Sequence, residues 1–332
     1  MTIERRGWLA ACAGLALLPA AAHAGETGNQ AEEDPGVWRM GLGANYSEGD
    51  YGAPQKTTVV SAPVSLRYRQ GGFSIRLSVP YVNIDGPGSL LDTPQGRDAG
   101  FGDDSGFDDH GGSGSGSDDD NSGSGSSGSN SGSSGSGSSG GSGSDDGGGD
   151  DSGSSGSGLN GGDVVPVPGA SNRRGGLGDV SVTLGYSFEL GETTWLDVSS
   201  RVKLPTASTA KRLGTGKVDV TLGGDLVQDV GNASFYAGGR YKVLGKPAGS
   251  TLRNTLGLGA GASYRLPGGT FIGADYDWQQ SATRGRQSSS EVTGWVNFGL
   301  TRRLRMQVFA STGFNTASTD FAGGISLSYR LN

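Results

Sequence analysis

Strict alternation of side-chain character runs through most of this chain, and few folds can use it. In Val180-Ser-Val-Thr-Leu-Gly-Tyr-Ser-Phe-Glu-Leu190, Val180, Val182, Leu184, Tyr186, Phe188 and Leu190 fall on one side. Ser181, Thr183, Gly185, Ser187 and Glu189 fall on the other. A β-strand turns successive side chains to opposite faces, so such a segment has one apolar and one polar face. The end of the chain repeats the pattern, with Phe321, Ile325, Leu327, Tyr329 and Leu331 against Ser326, Ser328 and Arg330. About twelve such segments are predicted, near 37–46, 58–69, 72–84, 178–190, 194–204, 217–229, 233–244, 253–266, 270–279, 290–300, 303–312 and 319–331. Most are longer than the five or six residues usual for strands of water-soluble proteins. They match the roughly nine to eleven residues that a tilted strand needs to cross a bilayer.

The connections sort by parity. From the second segment onward one set is short: Gln70-Gly71, Gly191-Glu192-Thr193, Val230-Gly231-Asn232, Pro267-Gly268-Gly269 and Thr301-Arg302. The alternate set is longer: 47–57, 85–177, 205–216, 245–252, 280–289 and 313–318. An outer-membrane barrel has an even strand number, short periplasmic turns and longer outer loops. A soluble β-sandwich has no reason to sort its loops this way. The fold expected is therefore an all-β, about twelve-stranded antiparallel transmembrane β-barrel of the outer-membrane type, occupying 37–332. Closure removes the strand edges, as a lipid-exposed backbone requires. Glycine-rich strands such as Leu256-Gly-Leu-Gly-Ala-Gly-Ala262 ease curvature and clear space on the inner face.

Charge separates one region from the rest. Residues 98–163 hold 13 of the 33 acids and none of the 26 bases, among long runs of Gly and Ser. Elsewhere bases outnumber acids, so the net charge of −7 describes this insert and not the barrel. The composition cannot bury enough apolar area to offset the entropy of ordering, so a disordered extracellular loop within one domain is expected. Asp118-Asp-Asp120 lacks the repeat that builds a calcium β-roll.

Residues 1–24 read as a signal peptide. Arg5 and Arg6 precede a short apolar run from Trp8 to Leu18, Pro19 breaks it, and Ala22-His23-Ala24 offers cleavage between Ala24 and Gly25. Leu9-Ala10-Ala11-Cys12 also looks like a lipoprotein box, but the apolar run continues past it. Cleavage leaves 25–36 as a periplasmic lead-in to the barrel. It removes Cys12, the only cysteine, and His23, one of two histidines. His110 sits in the low-complexity insert. Ser-His and Cys-His catalysis and most transition-metal sites are thereby excluded from the ordered part, and neither enzyme activity nor a cofactor is expected. Gly214-Thr-Gly-Lys217 lacks the upstream glycine and following hydroxyl of a phosphate loop.

Subtracting the apolar faces leaves the lumen candidates. The charged ones are Arg39, Arg67, Arg76, Arg201, Lys203, Asp219, Asp225, Arg240, Arg265, Asp275, Asp277, Glu291, Arg305 and Arg330. Arg330, Arg39, Arg67 and Arg76 fall on strands that become neighbours on closure. They read equally as a field favouring anions or as one side of structural ion pairs bracing the wall. Asp275 and Asp277 share a face and read as lumen lining rather than an acid–base pair. On the apolar faces, Tyr68, Phe188, Tyr264, Phe298 and Tyr329 cluster toward the short-turn ends of their strands. Tyr46, Tyr81, Tyr241, Tyr276 and Trp278 cluster toward the loop ends. Two such belts are expected at the two edges of a membrane.

Two stretches carry a family resemblance: Gly176-Leu-Gly-Asp-Val-Ser-Val-Thr-Leu-Gly-Tyr186, and Lys203-Leu-Pro-Thr206 followed by Leu213-Gly-Thr-Gly-Lys-Val-Asp219. Over 176–331 the chain resembles the outer-membrane family named for the meta-pathway of phenol degradation, whose members are described as transporters. The resemblance implies a barrel that passes small, including aromatic, compounds. The long insert and the final Leu331-Asn332, where such barrels often end in Phe, depart from the pattern. The function expected is an outer-membrane channel for passive passage of small aromatic or anionic solutes. The alternative is a surface-structural or adhesive barrel with a closed lumen and a working loop. Expected partners are outer-membrane lipid and lipopolysaccharide, the outer-membrane assembly machinery and small solutes, not nucleic acid.

Overall fold

The computed structural model describes residues 36–90, 164–166 and 173–332. The signal segment with its Ala24–Gly25 cleavage point and the loop 98–163 lie outside the described residues. Twelve long strands of 10 to 14 residues make the barrel. They are β1 (Val37–Gly49), β2 (Thr57–Gln70), β3 (Phe73–Asp85), β7 (Val180–Gly191), β8 (Thr194–Leu204), β9 (Asp219–Val230), β10 (Ala233–Val243), β11 (Thr255–Leu266), β12 (Thr270–Gln279), β13 (Ser289–Gly299), β14 (Leu304–Gly313) and β15 (Phe321–Arg330). Three short strands complete the set: β4 (Gly88–Leu90), β5 (Val164–Pro166) and β6 (Arg174–Leu177).

Each long strand pairs antiparallel with its sequence neighbour, and β1 also pairs with β15, so the sheet closes. At that seam the last residue does the work of a clasp. Trp38 N donates to Asn332 Oδ1 at 2.8 Å, and Asn332 Nδ2 donates to Gly36 O at 2.8 Å. The short connections lie together at the end where β1 begins and β15 finishes. Gly231 there has φ +63°, a left-handed conformation that glycine adopts without a Cβ clash.

Three features differ from the sequence expectation. The strand expected near 178–190 starts at Val180, and an additional short strand, β6, precedes it: β6 and β7 both pair with β3, and Gly178-Asp179 interrupts them. The reason is tertiary, because Asp179 turns inward to a buried lysine and to the amide of Ala207. The β4–β5 ribbon, Leu90 opposite Val164, was not expected from strands of three residues. Through it, Val164 packs against a buried apolar cluster at the loop end. That cluster consists of Val59, Val82, Ile84, Leu90, Ala207 and Leu213. Strand starts at Asp219, Thr255 and Phe321 come two residues later than expected.

Burial follows the alternation. In β2, Thr57, Val59, Ser61, Ser65 and Arg67 are buried, while Val60, Val64 and Leu66 are exposed. Large apolar side chains face outward around the whole ring, among them Leu42, Leu77, Leu222, Leu258 and Ile325. A water-soluble protein would bury these and expose the serines, so the inversion identifies lipid as the outer solvent.

Candidate functional site: the barrel lumen

Every charged lumen candidate takes the same strand parity as the buried serines. Arg67, Lys203, Asp219, Asp225, Asp275, Asp277 and Glu291 are buried. Arg39, Arg76, Arg201, Arg240, Arg265 and Arg305 are half-buried, and Arg330 is exposed at the rim opposite Arg39. The closed sheet gathers these side chains into several groups.

The tightest group lies toward the loop end. Lys203 Nζ is 2.6 Å from Asp219 Oδ2 and 3.0 Å from Asp179 Oδ2, with all three side chains at most 3% exposed. Each carboxylate also anchors backbone: Asp179 Oδ1 accepts from Ala207 N at 2.9 Å, and Asp219 Oδ1 from Gly245 N at 2.7 Å. Thr206 Oγ1 accepts from Val180 N at 2.8 Å and donates to Gly178 O at 3.2 Å. The two stretches that carry the family resemblance therefore meet at one buried charge cluster. Its effect is to hold the β8–β9 connection down, which seats Ala207 and Leu213 in the apolar cluster at the mouth.

A second group spans β10, β12 and β13. Arg240 Nη1 lies 3.4 Å from Asp277 Oδ1, and its Nη2 lies 3.4 Å from Gln279 Oε1. Asp277 stands directly opposite Glu291, which accepts from Thr319 N at 2.9 Å. Tyr236 donates its hydroxyl to Asp275. The Arg265 and Arg305 guanidiniums lie 5.7 and 5.5 Å from the Phe271 ring centre, a cation–π distance. Arg305 Nε donates to Asn297 Oδ1 at 3.1 Å.

The sequence reading missed a set of inward aromatics. Trp195, Val227 and Tyr236 form one buried cluster, and Phe271, Trp295 and Phe309 another. Their parity was visible: Trp195 shares a face with Asp197, and Phe271 with Asp275 and Asp277. They belong neither to the outward belts, which hold only aromatics of the apolar faces, nor to the charged lumen set. Glycine makes room for two of these rings. A Cβ on Gly273 would lie 2.3 Å from Trp295, and one on Gly261 would lie 2.5 Å from Tyr236.

All ten outward aromatic candidates take the outer parity. Tyr46, Tyr81, Phe188, Tyr241, Tyr264, Tyr276 and Tyr329 are exposed, and Tyr68, Trp278 and Phe298 half-buried. Trp38, Phe73, Tyr186, Phe235, Phe314 and Phe321 join them on the outside. Trp38 and Tyr68 pack with ring centres 4.9 Å apart, and Tyr186 and Phe188 at 4.6 Å.

Comparison with known proteins agrees with this architecture. The fold is similar to that of an outer-membrane channel from Pseudomonas putida F1, with a TM-score of 0.52 at 12% identity, covering 92% of this chain and 100% of that one. The NanC porin aligns at a TM-score of 0.47 and 8% identity, over 88% of this chain and 100% of that one. The CymD monoaromatic hydrocarbon channel aligns at 0.39 and 11%, over 90% and 88%. No match was found among curated protein sequences. The model of the family described as "Putative MetA-pathway of phenol degradation" matches residues 133–331, and the chain belongs to that family.

Proposed function

We propose that the protein is an outer-membrane channel for passive passage of small solutes, without catalysis or cofactor. The observation that carries this reading is the inverted barrel: apolar side chains face out, and buried charges and hydroxyls face in. A polar interior inside an apolar band is what a water-filled barrel requires. The fold likeness to the Pseudomonas putida channel supports the same reading. The two groups of outward aromatics lie where membrane edges favour amphipathic rings. The turn end is then periplasmic and the loop end faces outside. The fourteen charged candidates line the passage, and their charge and spacing set what passes. The solute is either anionic, from the arginines on β15, β1, β2 and β3, or aromatic, from the family's description.

A closed surface-structural barrel is the second reading. The apolar cluster of Val59, Val82, Ile84, Leu90 and Leu213 at the loop end favours it, because such a cluster obstructs water at the mouth. Reconstitution of the full chain into planar bilayers separates the two. Discrete conductance steps are expected, and a barrel with heat-modifiable gel mobility but no steps refutes the channel.

A further inference from the structure

We propose that the inner wall carries a helical track for small organic carboxylates, built from a single cross-strand row of basic residues. The proposal rests on the channel reading and names the solute class that passes. Arg330 pairs with Arg39, Arg39 with Arg67, and Arg67 with Arg76. Four guanidinium-bearing positions thus stand side by side on four adjacent strands, about 4.8 Å apart in the hydrogen-bonding direction. The row continues through Thr183 to Arg201, and through Thr221 to Lys242. It contains no acid.

The row also climbs. Strands tilt in a closed barrel, so a row perpendicular to them winds upward around the wall. Seven steps cover about 34 Å of sheet, which at a tilt of roughly 40° is about 22 Å of height. The apolar band of such a barrel is about 25 Å tall. The strand positions agree: Arg39 is near the periplasmic start of β1, and Lys242 is next to the outer end of β10. The row therefore runs from one mouth to the other.

A row of opposite sign runs parallel to it. Asp197 pairs with Asp225, and Asp277 with Glu291, the two pairs being joined through Gly238 and Gly259. On β8 the rows are the four residues from Asp197 to Arg201 apart, about 13 Å along the strand. The row between holds mainly small residues, Gly185, Ser199, Gly223 and Gly257. Arg240 interrupts it and reaches Asp277. A wall braced by ion pairs sets opposite charges face to face or one diagonal apart, since those are the neighbours that interact. Around Arg330, Arg39, Arg67 and Arg76 no acid holds either place, and only at the outer end does one approach, Asp219 standing one diagonal from both Arg201 and Lys242. Like charges directly opposite cost stability, so packing alone does not favour this order. It is the order that keeps an anion on one path and away from the other.

A guanidinium grips a carboxylate with two parallel N–H donors. Grips repeated at strand spacing let a carboxylate move from one to the next without returning to bulk water. Conduction needs this combination of favourable and multi-site binding.

The test uses the full-length protein in planar bilayers under a KCl gradient, with succinate as the probe carboxylate. The wild-type reversal potential is expected to favour chloride over potassium, and succinate to reduce the chloride current. Arg67→Gln with Arg76→Gln should lower the anion-to-cation permeability ratio on the order of fivefold and relieve the succinate effect. Arg39→Gln alone should do so to a smaller degree. Arg302→Gln with Arg303→Gln removes equal charge from the exposed β13–β14 turn and should leave the ratio unchanged. Heat-modifiable mobility certifies each folded variant. Equal shifts from the two double variants would overturn the track in favour of a general charge effect. Wild-type conductance without anion preference, or without response to succinate, also removes the track but leaves the channel. No wild-type conductance removes both.

Discussion

Replacing Lys203 with Met tests how the mouth of the barrel is held. Lys203 Nζ sits between Asp179 and Asp219 at 3.0 and 2.6 Å, and none of the three side chains is more than 3% exposed. Methionine keeps the unbranched stem and removes the ammonium. Two carboxylates are then left buried about one lysine apart, without their shared counter-charge. Breaking a buried pair by deleting one partner costs about 3–5 kcal/mol, because the remaining charge is uncompensated. With an unfolding slope of ~2–3 kcal/mol per molar urea, the midpoint should fall by roughly 1–2 M. The assay is equilibrium urea unfolding of the reconstituted barrel, followed by tryptophan fluorescence and gel mobility. The cycle is closed by the triple variant Lys203→Met, Asp179→Asn, Asp219→Asn. Asparagine retains the Oδ1 acceptors for Ala207 N and Gly245 N, so the backbone anchors survive. Replacing a whole buried ion cluster by neutral groups of similar volume is often neutral or stabilising. The triple variant should therefore recover most of the loss. A single variant within about 1 kcal/mol of wild type would refute the reasoning. So would a triple variant no better than the single, since the penalty would then not be one of uncompensated charge.

Other outcomes follow from single sites. Gly273→Ala should displace the Trp295 ring, whose Cζ2 would lie 2.3 Å from the new Cβ, at a cost of about 1–3 kcal/mol. A blue- or red-shifted emission with a lower urea midpoint is expected; unchanged emission would mean that the ring is not seated there. Tyr51, in the β1–β2 loop, is buried, and burial pushes its phenol up to about 12, against hydrogen bonds with Ser47 and Thr319 that pull it down. Its folded value lies above the ordinary 10.0, so its contribution to stability is intact below pH 10 and is lost as pH climbs toward 12. Spectrophotometric titration should resolve one late tyrosine phase that disappears in Tyr51→Phe. Deleting 98–163 should leave a heat-modifiable barrel, because Leu90 pairs with Val164 and that ribbon already brings the flanks together. Failure of that deletion to assemble would make the segment structural.

Strand number and topology were legible because each strand of a lipid-facing barrel meets two unlike solvents. Leu66 faces hydrocarbon and Arg67 faces the lumen, so period-two alternation is imposed at every step. Turn chemistry added the direction, as at Gly231. Where a strand answers to a tertiary partner, the pattern fails. Asp179 leaves the ladder for Lys203, 24 positions on, and nothing in Gly178-Asp179-Val180 marks the interruption. Ribbon β4–β5 is too short to show any period, and its partner strand lies 74 positions away.

The lumen was legible as a face but not as an arrangement. Parity assigns Arg39, Arg67, Arg76 and Arg330 to the inside, yet it cannot say that they stand in one row. That depends on register, which is set by turn and bulge geometry along the chain. The inward rings of Trp195, Phe271 and Trp295 fail for a different reason. Parity places them inside, but a large ring is not what a polar lumen calls for, and only glycine seats such as Gly273 show how a narrow wall admits it. The weight of register shows in one hairpin. Sliding β10 two residues against β9 would keep every inward side chain inward. It would nevertheless set Thr221 opposite Arg240 and bring Asp219 opposite Lys242, in place of the observed pairing of Thr221 with Lys242. The alternation would read the same, while the last step of the basic row would become an opposite-charge pair. Passage through such a barrel is therefore decided at a level that strand periodicity leaves free.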